Sequence, residues 1–293
     1  MTISAKIIED TQDPITNVRL TTFQLRYPRF IHAEFMTHRM LSRCASSSRA
    51  IPVARLVQDV MTDLTYPMHW GKNQPGMQAK EECNETVKLS VAGSPEDDFS
   101  RQDAWNEARE QAVRIAMAFD AAGYHKQIVN RLLEPFSHIN VVVTATEWDN
   151  LFELRCHPDA QPEFQALAYQ MQAALQTTTP RLLKEGGWHL PYITSEEKEV
   201  YQNDELACLS AARCARTSYL TYDLKEPNYD GDMKLFEKLA ESKPEHASPL
   251  EHPAQATGDF KRYYNLTGFR SFRWLWDAAK PGAQQAKFVG MVA

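Results

Sequence analysis

Apolar positions along the chain follow helical spacing in most segments and extended spacing in a few. Apolar side chains recur at helical intervals across residues 103–133, where Gly123 predicts a break. Pro135 should end this helical region, because proline cannot continue a helix, and the β-branched residues of 139–146 predict a buried strand. Further helices are predicted at residues 149–155, at 161–175, from Asp204 onward and at 231–242.

Two other stretches have a less regular pattern. Residues 18–36 mix aromatic and β-branched side chains with Pro28, which predicts a strand or a short helix leading into a polar turn. Glycine and proline make residues 67–77 a loop. No tandem repeat is visible, so the pattern predicts an α+β fold in a single compact domain over residues 1–293, with possible sub-regions 1–195 and 196–293.

Composition restricts the partner and the compartment. The 293 residues are 43% hydrophobic, and the net charge of -6 argues against a broad surface for nucleic acid or an anionic membrane. We therefore expect a small-molecule partner. No apolar stretch approaches the roughly 20 residues that cross a bilayer, and we expect a cytoplasmic protein. The five cysteines form no CxxC pair, so we expect reduced thiols rather than disulfides or a zinc knuckle.

The segment of residues 37–49, THRMLSRCASSSR, is the first candidate for chemistry. It holds one histidine, three arginines and four serines without an acidic residue. Guanidinium groups bind phosphate oxygens in a bidentate manner, and hydroxyl groups can complete such a site. The segment therefore indicates a phosphate site, although the same composition also fits a solvated surface helix that carries scattered arginines.

Two more arginines stand among apolar neighbours, Arg131 near a helix end and Arg155 at the end of another helix. Because apolar neighbours draw these helices inward, either guanidinium could face a pocket, where it needs an anionic partner. That partner is either a ligand or an internal carboxylate, for which the candidates are Glu134, Glu153 and Glu163.

The segment of residues 246–252, HASPLEH, places two histidines and a glutamate close together. The spacing lacks a helical ligand register, and Pro249 interrupts it, so we expect no metal site. The chain also contains no GxGxxG, GxxxxGK[ST] or GxSxG motif, which removes the usual sequence support for Rossmann, P-loop and α/β-hydrolase folds.

The 37–49 segment resembles the signature R-H-R-x-x-S-x-N-x-x-S-x-R of flavin-dependent thymidylate synthases. His38, Arg39, Ser42, Ser47 and Arg49 give five of its seven positions. The departures are Thr37 for the first arginine and Cys44 for the asparagine, together with Ala45 where an acidic residue is common.

Other stretches extend this resemblance. Residues 131–135 resemble the A-R-x-x-L-P element of the family, and residues 150–163 resemble its N-x-x-x-x-R-x-x-x-x-A-Q-x-E element. Residues 211–219 and the 246–252 segment resemble A-A-R-x-x-Y and H-x-S/T-x-x-E-H, which precede the arginine-rich signature in the family. Here they follow it, so we expect a circularly permuted motif order, with residues 67–77 as an insertion.

The resemblance implies a curved mixed or antiparallel sheet wrapped by helices, and a homotetramer with sites shared between subunits. It implies C5 methylation of a pyrimidine deoxynucleotide, dUMP to dTMP, with FAD as cofactor and with NADPH and methylenetetrahydrofolate as co-substrates. By matching positions, the nucleotide would be bound by Ser47, Arg49, Arg131 and Arg155, and the flavin by His38, Arg39, Asn150, His246 and Ser248. Arg155 is the catalytic candidate, because a fixed cation beside the ring stabilises negative charge there.

The departures from the signature bear on the substrate. They leave open a methyl- or hydroxymethyltransferase that acts on dCMP or dUMP for modified-base synthesis. A third alternative is a non-catalytic homologue that binds flavin or nucleotide. The implied chemistry needs no cysteine nucleophile, but Cys44 lies inside the signature and is worth a test.

Overall fold

The computed structural model of the protein describes residues 2–91, 93–216 and 228–280. The strands in these residues are β1 (Ser4–Gln12), β2 (Arg19–Pro28), β3 (Ser42–Ala45), β4 (Val87–Leu89), β5 (Asp97–Phe99), β6 (His138–Ala145), β7 (Arg181–Leu182), β8 (Trp188–His189), β9 (Ala254–Ala256), β10 (Arg262–Tyr263), β11 (Leu266–Thr267) and β12 (Phe269–Ser271). The α-helices are α1 (His32–Phe35), α2 (Val53–Thr62), α3 (Arg101–Ala121), α4 (Lys126–Val129), α5 (Asp149–Arg155), α6 (Pro162–Thr177), α7 (Ser195–Val200), α8 (Asn203–Ala215), α9 (Tyr229–Glu241) and α10 (Phe272–Ala279). Short 3-10 turns lie at Arg29–Ile31, Ser48–Ala50, Asn130–Leu132, Glu134–Phe136 and Ser248–Glu251.

The centre of the molecule is a five-stranded sheet with the strand order β3-β6-β2-β1-β7. Its pairs are antiparallel except β1 with β7, which run parallel. A three-stranded antiparallel sheet of β12, β9 and β8 joins residues 188–189 to the C-terminal part of the chain. Helices and mixed sheets in one chain confirm the predicted α+β class.

The two faces of the central sheet have different partners. On one face, apolar side chains of β2 and β6 pack against α6; they include Phe23, Leu25, Val141, Val143, Phe164 and Leu167. The register pairs Thr22 with Thr144 and Thr144 with Ser42, and directly opposite residues share a face, so these hydroxyl side chains lie together on the other face. C-terminal residues cover that second face, where the turn Ser248–Glu251 packs against β3.

Several local predictions are confirmed, with shifted ends. The 103–133 region is α3 followed by α4, and the predicted break is real, because Gly123 has a φ of 84° and follows the end of α3. The predicted strand at 139–146 is β6, which begins one residue earlier and ends one residue earlier. The alternative of a surface helix for the 37–49 segment is wrong, because about half of it forms strand β3, whose residues alternate between buried and half-buried, and the turn Ser48–Ala50.

A separate apolar cluster holds the C-terminal part together. Trp188, Leu190 and Ile193 pack with buried side chains of α8 and with Phe236 and Phe272. No helix in the three described stretches of the chain is long and apolar enough to span a membrane.

Candidate active site

The side chain of Arg155 is the most constrained cation among the predicted site residues. It ends α5 and is 18% exposed. Its Nε donates to Nε2 of His38 at 3.0 Å, and its Nη1 donates to Oε2 of Glu34 at 3.2 Å. The guanidinium also lies over the ring of Phe164, 4.4 Å from the centroid. Two bonds and one aromatic face therefore fix the guanidinium before any ligand arrives.

His38 supports Arg155 as a neutral imidazole. Burial, together with the positive charges of Arg155 and Arg43, lowers its pKa to about 4. Because Nε2 accepts from Arg155, the single proton of the neutral ring is on Nδ1. The ring is also packed edge-on against Phe164. His38 therefore orients the cation without adding a second positive charge.

The carboxylate that pairs with Arg155 is not one of the predicted candidates. It is Glu34, whereas Glu163 is buried and accepts from the backbone N–H of Met68 at 2.5 Å. Glu153 makes no ion pair with Arg155 in the described structure. Glu34 lies four residues before His38, and the backbone of Thr37 and His38 continues the turn of α1, so both side chains reach Arg155 from one segment. Sequence reasoning missed Glu34, because its spacing from His38 indicates a shared helix face and not a contact with Arg155.

Arg131 is placed differently, at the surface. Its side chain is 57% exposed, and Nη1 contacts Oε1 of Glu134 at 2.8 Å, so the internal ion pair predicted as one alternative is present. The same Glu134 oxygen accepts from the hydroxyl of Ser48 at 2.5 Å. Glu134 therefore links Arg131 to the 37–49 segment, and Arg131 still faces solvent.

Four other predicted residues present polar groups at the surface or close to it. Ser47 is half-buried where the turn Ser48–Ala50 begins, and Arg49 within that turn is exposed. Arg39 and Asn150 are exposed. Cys44 is buried on β3 instead, which leaves its thiol little access to a substrate.

The 246–252 segment lies beside the 37–49 segment, although about 200 residues separate them along the chain. His246 and Ser248 are exposed, Glu251 forms an ion pair with Arg273, and His252 is fully buried. No group of three or more His, Cys, Asp or Glu side chains in the described residues is placed to hold a metal.

Arg43, on β3, lies close enough to the 246–252 segment to feel the charge of Glu251. Its Nη1 donates to the backbone oxygen of Met36 at 2.9 Å. Partial burial lowers the pKa of Arg43, and the nearby carboxylate of Glu251 opposes that shift. Burial and the proximity of Cys44 raise the pKa of the Cys214 thiol well above its ordinary value. Arg43 and Cys44 of β3 therefore lie close to Glu251 and Cys214 in the C-terminal part of the chain.

The predicted element at residues 211–219 is only partly described. Arg213 is buried and forms ion pairs with Glu197, at 2.6 Å, and with Asp232, at 2.8 Å. It therefore holds α8 against α7 and α9. The remaining residues of the element, 217–219, lie outside the described residues.

Comparison with solved structures finds a distant likeness. Two crystal structures of the UMP/dUMP methylase PolB from Streptomyces cacaoi, bound with 5-Br UMP and with 5-Br dUMP, are each 15% identical in sequence. Each alignment covers 59% of this chain, with 88% and 90% of PolB and TM-scores of 0.42 and 0.38. A search of curated proteins finds no match.

Comparison with protein families gives a match to Thy1, described as thymidylate synthase complementing protein, over residues 5–181. These residues are more than half of the chain, and they include the 37–49 segment, Arg131 and Arg155 but not the 246–252 segment. The predicted kind of enzyme, a thymidylate synthase-like methyltransferase whose chemistry is C5 methylation of a pyrimidine nucleotide, is confirmed at the level of the family. The chain belongs to the thymidylate synthase complementing protein family.

Proposed function

We propose that the protein is a flavin-dependent enzyme that methylates C5 of dUMP to form dTMP, with methylenetetrahydrofolate as carbon donor and NADPH as reductant. The arrangement around Arg155 carries this proposal. Within the described residues, Nε and Nη1 of Arg155 are engaged and Nη2 has no protein partner. A prepositioned guanidinium with one free edge suits a pyrimidine ring that becomes negatively charged.

Electrostatics explains why that geometry would help. C5 of uracil becomes nucleophilic when electron density moves into the ring, and a fixed cation beside a ring oxygen or nitrogen stabilises that charge. Arg155 needs little reorganisation because His38, Glu34 and Phe164 already hold it. Because His38 is neutral, it adds no second charge beside Arg155.

The nucleotide phosphate would bind at the polar groups around the turn Ser48–Ala50. Ser47 and Arg49 belong to one short turn, and Ser48 and Arg131 share the Glu134 carboxylate. Phosphate can replace that carboxylate as the partner of Arg131, since the guanidinium is more than half exposed. Ser47, Arg49 and Arg131 are therefore the proposed phosphate ligands.

The side chains assigned to the flavin carry hydrogen-bond donors of the kind that a flavin cofactor needs. Arg39, Asn150, His246 and Ser248 offer exposed cationic or hydrogen-bonding groups, and His38 retains an Nδ1–H. A dinucleotide pyrophosphate needs such donors. When bound, the flavin supplies the reducing equivalents of the methylation, while these residues would orient it and exclude water. The packing of the turn Ser248–Glu251 on β3 supports one shared site despite the permuted motif order.

We further propose a cytoplasmic homotetramer built from single-domain subunits. Support comes from an apolar surface along the end of α3 and the residues that follow. Ile115, Phe119, Tyr124, Ile128 and Leu132 are all exposed there, and Leu132 adjoins Arg131. A surface of this kind fits burial against another subunit, which would place the exposed Arg131 near the subunit boundary.

A second candidate substrate is dCMP, with either a methyl or a hydroxymethyl product. The carboxylate of Glu34 beside Arg155 favours it, because a carboxylate can accept from the 4-amino group of cytosine. The departures at Thr37, Cys44 and Ala45 also lie in the signature. A non-catalytic homologue that binds flavin or nucleotide is the remaining alternative.

One experiment separates these functions. The purified protein is reconstituted with FAD, its visible spectrum is recorded, and dUMP and dCMP are incubated separately with methylenetetrahydrofolate and NADPH. Mass spectrometry then identifies the nucleotide that gains mass and distinguishes methyl from hydroxymethyl. We expect methylated dUMP. Absence of a flavin spectrum contradicts both enzymatic proposals, and bound flavin without any product favours the non-catalytic homologue.

A variant tests the role of Arg155 within that assay. Arg155→Ala should abolish turnover while flavin stays bound, because Arg155 is assigned to the nucleotide. The matched control is Arg114→Ala, an exposed arginine on α3 that contacts only Gln111 within the described residues. Loss of flavin from the Arg155 variant, with normal turnover per bound flavin, would refute the assignment.

A further inference from the structure

A continuous chain of side-chain hydrogen bonds crosses the interior between the central sheet and the C-terminal part. The hydroxyl of Thr11 lies 2.8 Å from Nδ1 of His189, whose Nε2 lies 2.7 Å from the hydroxyl of Thr22. The hydroxyls of Thr22 and Thr144 are 2.6 Å apart, and Thr144 lies 2.8 Å from Nδ1 of His252. All five residues are fully buried.

The chain joins two parts of the fold that are distant in sequence. Thr11, Thr22 and Thr144 belong to β1, β2 and β6 of the central sheet. His189 belongs to β8 in the three-stranded sheet, and His252 directly follows the turn Ser248–Glu251. Each histidine therefore ties a different C-terminal element to the same face of the central sheet.

All hydrogen bonds along this series must be donated in the same direction. Each hydroxyl has one hydrogen, so Thr22 and Thr144 each donate to one neighbour and accept from the other. Burial lowers the pKa of His252 to about 3 and that of His189 well below its ordinary value, so both rings are neutral. A neutral imidazole donates through one nitrogen and accepts through the other, which suits a one-way chain.

A one-way chain between neutral groups is sensitive to position. Apolar contacts such as those of Leu20 with Ala254 and Phe269 tolerate small sliding, because they have no preferred direction. The five polar side chains are satisfied in one register, and a shift would leave buried hydroxyl and imidazole groups without partners. Nε2 of His252 has no hydrogen-bond partner in the described structure, so Thr144 makes the one side-chain hydrogen bond of His252 among the described residues.

We infer that the chain Thr11–His189–Thr22–Thr144–His252 is a positioning device that fixes the turn Ser248–Glu251 against β3. His252 is its positioning residue, since its backbone continues directly from Glu251. The device sets the spacing between the 246–252 and 37–49 segments. On the proposed function, in which both segments hold the cofactor, that spacing also determines the affinity for flavin.

A pair of substitutions at Thr144 tests the inference. Thr144→Val keeps the shape of the side chain and removes the hydroxyl, so Thr22 and His252 lose their common partner. Thr144→Ser keeps the hydroxyl and should rescue the chain. The control is Thr21→Val, since Thr21 is equally buried, directly precedes Thr22 on β2, and its hydroxyl donates to Asp10 on the opposite face of the sheet.

Two measurements are made on the full-length protein. Amide hydrogen exchange without ligand should be about tenfold faster across residues 248–256 in Thr144→Val, and unchanged there in Thr144→Ser and Thr21→Val. The Kd for FAD should rise about tenfold in Thr144→Val alone. If Thr144→Val does not fold, Thr11→Val removes only the first link and should shift both quantities in the same direction.

The two measurements separate failure of this inference from failure of the proposed function. If the variants and the unmodified protein all fail to bind FAD while hydrogen exchange changes as expected, that result supports the positioning device and contradicts the proposed flavin site. If exchange across residues 248–256 is the same in Thr144→Val and Thr21→Val, the inference is overturned. An equal rise in the Kd for FAD in all three variants would also overturn it, because a general loss of stability would then explain the effect.

Discussion

Nε of Arg155 donates to Nε2 of His38 across 3.0 Å, so the predicted catalytic cation rests on a neutral imidazole. Sequence resemblance assigned these two residues to different ligands, Arg155 to the nucleotide and His38 to the flavin. Because the two side chains are in direct contact, a substitution at His38 also removes a hydrogen bond that holds Arg155. Conservative replacements at each position separate the two effects.

Replacing His38 should lower catalysis according to whether an acceptor remains for Arg155. In His38→Ala the charged guanidinium loses a hydrogen bond to the neutral imidazole, and kcat/KM for the nucleotide should fall about 10- to 100-fold. His38→Gln can place its amide oxygen near the position of Nε2 and should retain most of the activity. Steady-state kinetics at measured flavin content will check this. Equal losses in the two variants would mean that His38 does not act through Arg155.

Removing the charge of Glu34 should strengthen nucleotide binding modestly. Glu34→Gln keeps a hydrogen-bond acceptor for Arg155 but removes a negative charge beside the proposed site of an anionic ligand. The side chain of Glu34 is 40% exposed, so solvent screens the effect, and KM for dUMP should fall about two- to threefold. Glu34→Ala, which also removes the acceptor, should lower kcat. A rise in KM for Glu34→Gln would contradict this electrostatic role.

Substitution of Arg131 should separate binding from chemistry. Its exposed guanidinium is proposed to bind phosphate and not the ring, so Arg131→Ala should raise KM about tenfold and leave kcat nearly unchanged. Initial rates over a range of nucleotide concentrations will measure both constants, with Arg114→Ala as the exposed-arginine control. An equal fall in kcat and kcat/KM would instead assign Arg131 to the transition state.

The free energy of unfolding should decrease as the pH is lowered, because His252 and His189 are buried in the neutral form. Unfolded histidine binds a proton below its ordinary pKa near 6.5, whereas folded His252 stays neutral until pH falls to about 3. The unfolded state therefore gains protons first, and each such histidine lowers the free energy of unfolding by about 1.4 kcal/mol per pH unit below roughly pH 6. This contribution is absent above the unfolded pKa.

The His252→Asn variant isolates one such histidine. Asparagine can place an amide group near the position of Nδ1 and contact Thr144, but it does not titrate. The free energy of unfolding is measured with urea between about pH 6 and pH 4. Its slope against pH should be shallower than that of the unmodified protein by the equivalent of about one proton. Parallel slopes for the two proteins would show that His252 is protonated in the folded state.

Local sequence determined the parts of this protein that depend on near neighbours. Helical spacing, Gly123 and the β-branched run before Thr146 were sufficient to predict α3, its end and β6, because backbone preference and side-chain periodicity act over a few residues. The arginine and serine content of the 37–49 segment, with its resemblance to a known signature, was sufficient to identify the family.

Tertiary structure alone decided which charges meet. Sequence could not choose among the carboxylates for Arg155, because the partner depends on how α5 lies against α1; the structure selected Glu34. The hydrogen-bond chain was also invisible to local patterns, since Thr11 and His252 are 241 residues apart and carry no joint motif. Such contacts arise only when the sheet register and the packing of the C-terminal part bring separate buried groups within hydrogen-bond distance.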